Sequence, residues 1–265
     1  VLAAENKARK GYETVATFSG LTALPESSPI SFNVRRGEVL GLTGLIGAGK
    51  TELLEQICGH RTATVGDMQL AGADYAPKDV AAAVAAGVVL VPEQRALQSI
   101  FPDENLWKHC SISLLSQFSN NGFMRRRREI AFAADVIQNF RVVCSGPNDR
   151  IGELSGGNQQ KLLVGRWLSR DWKLLVLDEP FRGIDIGARS LISRSLREYS
   201  EKVPVILCSS DPEEVIEVAD RIIIMLEGEI VHEDISSNLN AEKLAAIMGR
   251  SSNRATPQKG ELTRI

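Results

Sequence analysis

Gly44-Leu45-Ile46-Gly47-Ala48-Gly49-Lys50-Thr51 follows an apolar run, Val39 to Thr43, and precedes Glu52-Leu53-Leu54-Glu55-Gln56-Ile57. The order reads as buried strand, glycine-rich turn and helix, and the turn fits the pattern GxxxxGK[ST]. Its glycines let successive backbone N–H groups turn inward around phosphate oxygens, and the helix that starts there adds the positive end of its dipole. A nucleoside triphosphate is the expected occupant. Lys50 is expected to reach its β and γ phosphates and Thr51 to place a hydroxyl on Mg²⁺, with Glu52 closing the binding segment.

Working outward, apolar strands recur at Val88 to Val91, Leu174 to Leu177 and Val205 to Cys208, with helical stretches between them. Strands and helices in alternation predict an α/β fold with a mostly parallel central sheet covered on both faces. Ahead of the loop, Thr14 to Phe18 and Ile30 to Val34 are β-like and are divided by Pro25, Ser27, Ser28 and Pro29, which suggests an antiparallel flap. From Phe101 to Arg150 the reading turns helical, a candidate subdomain over about 101–153. Ile222 to Leu226 and Glu229 to His232 read as strands around the turn Glu227-Gly228. Residues 1–12 resemble the end of a linker and 251–265 a disordered tail, leaving 13–250 as one nucleotide-binding domain.

Leu174-Leu175-Val176-Leu177 ends in Asp178-Glu179-Pro180. Ligands of open α/β sheets sit at the carboxyl ends of strands, so both acids are expected beside the phosphates. Asp178 would hold Mg²⁺, and Glu179 would orient the attacking water or take its proton. A second anion site is expected at Ser155-Gly156-Gly157-Asn158, where a hydroxyl and two glycines open a helix.

One subunit does not need two such sites for one triphosphate. The segment Leu154-Ser155-Gly156-Gly157-Asn158-Gln159-Gln160-Lys161 resembles the LSGGQ signature of the ATP-binding cassette family, which closes over the γ phosphate of a nucleotide held by another cassette. The resemblance spans Glu13 to Gly249. With Asp178-Glu179-Pro180-Phe181-Arg182-Gly183-Ile184-Asp185-Ile186-Gly187-Ala188-Arg189 it is similar to the sugar-importer branch, ribose, galactose or xylose type, and to the second cassette of its duplicated ATPases; Phe181 stands where PTRGVDVGA has Thr. The resemblance implies a P-loop NTPase of the ABC ATPase fold that binds ATP and Mg²⁺ and hydrolyses ATP to drive import of a sugar-like solute. It implies a second cassette, fused or separate, and membrane permease subunits facing the helical region. It also implies a solute-binding protein acting indirectly, and a peripheral place on the cytoplasmic face of the inner membrane.

Three positions depart from the family pattern. Val91-Pro92-Glu93-Gln94-Arg95 puts Glu93 where a Gln usually senses the γ phosphate, adding a carboxylate near Mg²⁺ and the chemistry. Leu207-Cys208-Ser209-Ser210-Asp211 puts Ser210 where relatives carry a switch His; a hydroxyl can bond phosphate but brings no positive charge. No Tyr or Trp stands where the adenine usually stacks, Leu24 being near that point and Phe18 the closest aromatic before it. Second cassettes of sugar importers often show such losses, many also losing the loop lysine, whereas Lys50 is kept. A slow or regulatory site, paired with an active cassette, is therefore an alternative, as is a soluble ABC ATPase outside transport.

Composition narrows the rest. With 31 basic and 33 acidic residues and a formal charge of −2, no global field draws the chain to nucleic acid, and no nucleic-acid partner is expected. Cys58, Cys110, Cys144 and Cys208 are scattered, as buried apolar residues would be, and no zinc or disulfide is expected. No apolar run approaches the length of about 20 residues that spans a bilayer. Arg125-Arg126-Arg127-Arg128 is a candidate nucleic-acid or lipid patch, yet it opens an apparent helix and reads first as a solvated face. His60, His109 and His232 show no metal pattern.

Overall fold

Runs of aliphatic residues such as Leu174 to Leu177 and Ile222 to Ile224 are stable as strands only where both faces are covered. The computed structural model describes residues 13–63, 65–93, 99–120 and 122–252. The linker expected over 1–12, Gln94 and the tail beyond 252 lie outside the described residues. In chain order the principal strands are β1 (Thr14–Leu21), β2 (Ile30–Arg35), β3 (Val39–Gly44), β4 (Asp67–Leu70), β5 (Ala73–Asp74), β6 (Val88–Val91), β7 (Ser119–Asn120), β8 (Phe123–Met124), β9 (Leu174–Asp178), β10 (Val205–Cys208), β11 (Arg221–Leu226) and β12 (Glu229–Ile235). The central sheet has the order β12-β11-β3-β10-β9-β6 and is parallel except for the β11–β12 hairpin. An antiparallel sheet, β2-β1-β4-β5, supplies the flap.

Side chains alternate along the buried strands, so each strand feeds two cores. Leu40, Leu42, Leu174, Val176, Ile206 and Ile223 face the flap and helix α1 (Lys50–Ile57), joining Phe18, Leu53, Leu54 and Ile57. Leu175, Leu177, Val205, Leu207, Ile222 and Ile224 face the opposite way. They meet Ile192, Leu196, Val215, Val218, Leu244 and Met248, which lie on three helices, Ile186–Ser200, Pro212–Val218 and Ala241–Ser252. Each fully buried Leu or Ile contributes about 1.5–3 kcal/mol relative to an exposed one. The last helix packs on this seam through Leu244 and Met248 and reaches Ser252, two residues into the stretch read as a tail.

A third core holds the helical part together. Leu106 and Cys110 from Leu106–Ser111, Ala133 and Val136 from Arg126–Asn139, and Leu162 and Leu163 from Gly156–Leu168 converge on it. Gly165 lets the last of these helices approach closely, because a Cβ there would lie 2.6 Å from the Phe140 ring. Val164 and Trp167 on the same helix belong to the core behind the sheet. The helix that opens the second anion segment is thus packed into two cores at once.

Buried charge ties flap to sheet. Arg221 on β11 donates to Glu38 at 2.7 and 3.0 Å, to Glu233 at 2.5 Å and to the Asn33 carbonyl at 2.7 Å. Among the described residues no helix is long and apolar enough to cross a membrane.

Candidate nucleotide site

The sheet order gathers the predicted residues. β10 lies between β3 and β9, with Cys208 level with Leu42 on one side and Asp178 on the other. The glycine-rich loop leaving β3, the acids ending β9 and the Ser209-Ser210 pair leaving β10 therefore share one edge, at the carboxyl ends of the strands.

Gly47 and Gly49 have φ of 82° and 86°, a left-handed backbone that glycine adopts without strain, and Gly49 caps α1. The Gly228 N–H donates to the Ala48 carbonyl at 3.0 Å, so the β11–β12 turn props the loop from beneath. Leu24 flanks it, 3.1 Å from where a Cβ on Gly49 would stand. Lys50 is buried, and its ammonium donates to the carbonyls of Gly44 at 2.7 Å and Leu45 at 2.9 Å. The cation is folded onto the loop that would wrap phosphate. Glu52 occupies the first turn of α1, half-buried, and Ile46 at the loop tip is 93% exposed.

Thr51 Oγ1 donates to Asp178 Oδ2 at 2.9 Å. Asp178 is buried, and its Oδ1 has no hydrogen-bond partner among the described residues. Desolvation raises this carboxyl above the usual range, opposed by the Thr51 hydrogen bond and by the nearby Cys208 thiol and Lys50. An orphaned carboxylate oxygen beside a hydroxyl is a donor set suited to a hard divalent cation. Among the described residues no group of three or more His, Cys, Asp or Glu could hold a metal unaided. The remaining ligands of a Mg²⁺ here would be phosphate and water oxygens.

Glu179 has φ of 46°, a strained value for a residue with a side chain. Its N–H donates to the Cys208 carbonyl at 2.9 Å, which turns the side chain toward the end of β10. There the Ser210 N–H donates to Glu179 Oε1 at 2.7 Å, and Ser209 Oγ lies 3.1 Å from Oε2. Ser210 thus meets Glu179 through its backbone. Sequence reasoning missed Ser209, a fully buried hydroxyl that also lies 2.5 Å from Glu214 Oε2. An acid five residues after a strand-end serine was the only available signal.

Glu93 forms an ion pair with Arg182, so the carboxylate expected to add charge near Mg²⁺ has a counter-charge of its own. Nothing in the spacing of Arg182 marks it as a partner for Glu93. Phe18 is closed to a base: it is buried and packs on Phe32 with ring centroids 4.7 Å apart. A cleft of about 740 Å³ beside the loop is lined instead by Leu24, Pro25, Glu26, Leu226 and Val231, among others. Phe181 is buried behind the sheet, which is why an aromatic is accommodated there.

The second anion segment is built from the helical part. Ser155 caps Gly156–Leu168 and is exposed, accepting from Asn158 Nδ2 at 3.0 Å, while Asn158 Oδ1 accepts from the Val143 N–H at 3.0 Å. Gln160 Nε2 donates to the Pro180 carbonyl at 2.7 Å, linking this helix to the turn after Glu179. A Cβ on Gly157 would lie 2.7 Å from Asp185 Oδ2, so the glycine admits the Gly183-Ile184-Asp185 turn. Asp185 in turn caps Ile186–Ser200 by accepting from the Ala188 N–H at 2.9 Å. Ile186 is 84% exposed beside it.

Residues 27–182 match the family model described as ABC transporter. The ribose import ATP-binding protein RbsA 1 of Rhizobium meliloti (strain 1021) is 35% identical over 233 residues, which are 88% of this chain and 46% of that protein. The arabinose import ATP-binding protein AraG of Yersinia pestis is 38% identical over 243 residues, 91% of this chain and 46% of that protein. The chain therefore spans about half the length of these curated relatives. Among solved structures, the ADP conformation of an ATP-binding cassette of an ABC transporter superposes with a TM-score of 0.69 at 18% identity, covering 91% of this chain and 96% of that one. A dimeric post-hydrolysis cassette bound to ADP and Pi gives 0.70 at 20% identity, covering 83% and 98%. The two likenesses establish the fold.

Proposed function

The chain belongs to the ATP-binding cassette (ABC) transporter family, and from that premise we propose that it binds ATP with Mg²⁺, hydrolyses it, and couples hydrolysis to import of a sugar through a membrane permease. The observation that carries the nucleotide part is the Thr51–Asp178 hydrogen bond with Asp178 Oδ1 left orphaned. Mg²⁺ would be held by Thr51 and Asp178, and when bound it offsets charge on the phosphates. Lys50 binds the β and γ phosphates, exchanging the loop carbonyls it now bonds for charged oxygens. Glu179 is placed to take a proton from the attacking water, its carboxylate aimed by the Ser210 N–H.

The site is shared in this reading. Ser155 to Asn158 serve the nucleotide of a second cassette, and that cassette's matching segment covers the loop at Lys50. The exposed apolar tips Ile46 and Ile186 suit burial against such a partner. The half-length match to relatives fits the second cassette of a duplicated ATPase. Sugar import follows from the relatives' names, and with it come permease partners, a solute-binding protein acting indirectly, and a peripheral position on the cytoplasmic face of the inner membrane.

One observation favours a slower, regulatory site: where relatives carry an imidazole, Glu179 meets the Ser210 backbone N–H and the Ser209 hydroxyl, neither of them cationic. A single experiment decides. Mg²⁺-ATP is titrated into the chain with its partner cassette, and association and phosphate release are followed for wild type and Glu179→Gln. Nucleotide-driven association together with a loss of about 10²-fold or more in turnover is the expected result. Association with unchanged turnover would assign hydrolysis to the partner's site, and no association would sink the shared-site reading.

A further inference from the structure

One surface is left unused by the nucleotide site. Between the helices of the third core, β7 and β8 form a small hairpin, and the chain then enters Arg126–Asn139. Phe123 on this hairpin is 80% exposed and Met124 is 45% exposed. Ile112 and Leu115, just before it in the chain, are 43% and 47% exposed. Four arginines follow Met124 directly, Arg125 to Arg128, all exposed, and among the described residues none of them forms an ion pair. Arg126 lies over the Trp107 ring at 5.3 Å, with the Lys108 ammonium at 5.7 Å from the same ring.

The buried face of the same helix explains why the arginines point outward. Glu129, Ala133 and Val136 turn to the core, and Glu129 is already occupied by the Ser111 hydroxyl at 2.7 Å. The nearest carboxylate on the helix is therefore not available to neutralise them. A solvated helix face accounts for four arginines alone, but not for a neighbouring aromatic side chain standing almost wholly in water.

We propose that this hairpin and its arginines, Phe123 to Arg128, form a contact for an anionic lipid surface. An exposed Phe and Met suit the boundary between headgroups and acyl chains, and the unpaired guanidinium groups bond lipid phosphates at the same depth. A projecting apolar tip has no need of a shaped pocket, which a bilayer does not offer. Duplex nucleic acid would use the arginines and leave Phe123 and Met124 in water, and a single strand could stack a base on Phe123 but would leave Met124 without an apolar partner. The surface rests on the reading of the chain as a peripheral membrane protein, and adds a direct contact with lipid to contacts with a permease.

The test is flotation of the 265-residue chain with vesicles of phosphatidylcholine alone or mixed with phosphatidylglycerol, over a range of salt. Binding to the mixed vesicles that falls as salt rises is expected, with little to phosphatidylcholine alone. Each arginine replaced by Gln among Arg125, Arg127 and Arg128 should weaken it about fivefold, and Phe123→Ser on the order of tenfold. Nucleotide binding by the same variants, read with a fluorescent ATP analogue, should match wild type and show that they are folded. Equal binding to both vesicle types, no binding, or binding indifferent to Phe123→Ser would overturn the proposal, as would a salt-sensitive preference for RNA over vesicles. Loss of nucleotide binding in wild type with vesicle binding intact would instead defeat the ATPase reading and leave the lipid contact standing.

Discussion

Thr51 Oγ1 reaches Asp178 Oδ2 at 2.9 Å across the end of β10, joining residues 127 apart in sequence and leaving the second carboxylate oxygen buried without a partner. The arrangement is costly, because desolvation is the largest influence on Asp178 and raises its carboxyl. In the proposed function a Mg²⁺ ion beside Asp178 would offset that cost.

Asp178→Asn is therefore expected to separate stability from binding. A carboxyl raised in the folded state contributes stability that is fully present below the unfolded value and lost as pH rises through the folded one. Relative to the Asn variant, wild type should lose stability over that window, upward from the ordinary Asp range. Thermal melts across pH read this directly. Stabilisation by Mg²⁺-ATP should fall in the variant by at least about 1.4 kcal/mol, the equivalent of tenfold in affinity. A variant that keeps the Mg²⁺-dependent rise in melting temperature would show that Asp178 does not hold the cation.

The Glu93–Arg182 pair leads to a charge argument. Arg182 is 70% exposed at its side chain and Glu93 26%, so the pair itself contributes little to stability, about 0–1 kcal/mol. Its effect is expected on anion binding instead. Arg182→Ala uncovers Glu93 and should weaken ATP binding severalfold, while adding Glu93→Gln should restore it. A double-mutant cycle measured by calorimetry at two salt concentrations tests this, the coupling shrinking at the higher one. Equal affinities in all four proteins would mean that Glu93 faces away from the nucleotide.

The contrast between Thr51–Asp178 and Glu93–Arg182 shows which parts of the site were legible in the sequence. The loop, Asp178 and the central strands carry their meaning in local pattern: a strand must end where the acids begin, and a helix must follow Lys50. The sheet class and the flap followed from apolar periodicity for the same reason. Arg182 and Ser209 have no such pattern. Their roles depend on β9 lying between β6 and β10, a strand order that residue spacing does not encode. Phe18, the closest aromatic before the expected stacking point, is packed against the Phe32 ring, a contact that nearness in sequence does not reveal.

Arg221 offers a test of the scaffold alone. Burial lowers its proton affinity, but Glu38 and Glu233 outweigh this and hold it above its ordinary value. Arg221→Ala would leave Glu38, 6% exposed, as a buried and uncompensated carboxylate. A loss of about 3–5 kcal/mol is expected in chemical denaturation. Arg221→Met with Glu38→Gln should recover much of it, since the charge is then removed from both sides. If the single variant unfolds at the wild-type midpoint, the flap is held by its apolar contacts and the ion pair is incidental.

Ser209 poses the sharpest question about Glu179. Its hydroxyl carries one proton, yet it lies within hydrogen-bonding distance of Glu179 Oε2 and Glu214 Oε2, and its oxygen also accepts from the Asp211 N–H at 3.1 Å. One proton serves one carboxylate at a time, so Glu214 competes with Glu179 for it. Glu214 is itself answered only in part, because Arg189 lies 3.8 Å away and is engaged by Glu217 at 2.7 Å. Under the proposed role of Glu179, Ser209 is expected to be a positioning residue that acts through it. Ser209→Ala should lower kcat about tenfold with KM for ATP unchanged. Ser209→Thr, which restores the hydroxyl, should recover the rate, whereas a purely structural role would leave the larger side chain no better than Ala. A wild-type kcat in Ser209→Ala would place the aim of Glu179 wholly on the Ser210 N–H and on the strained backbone at φ 46°.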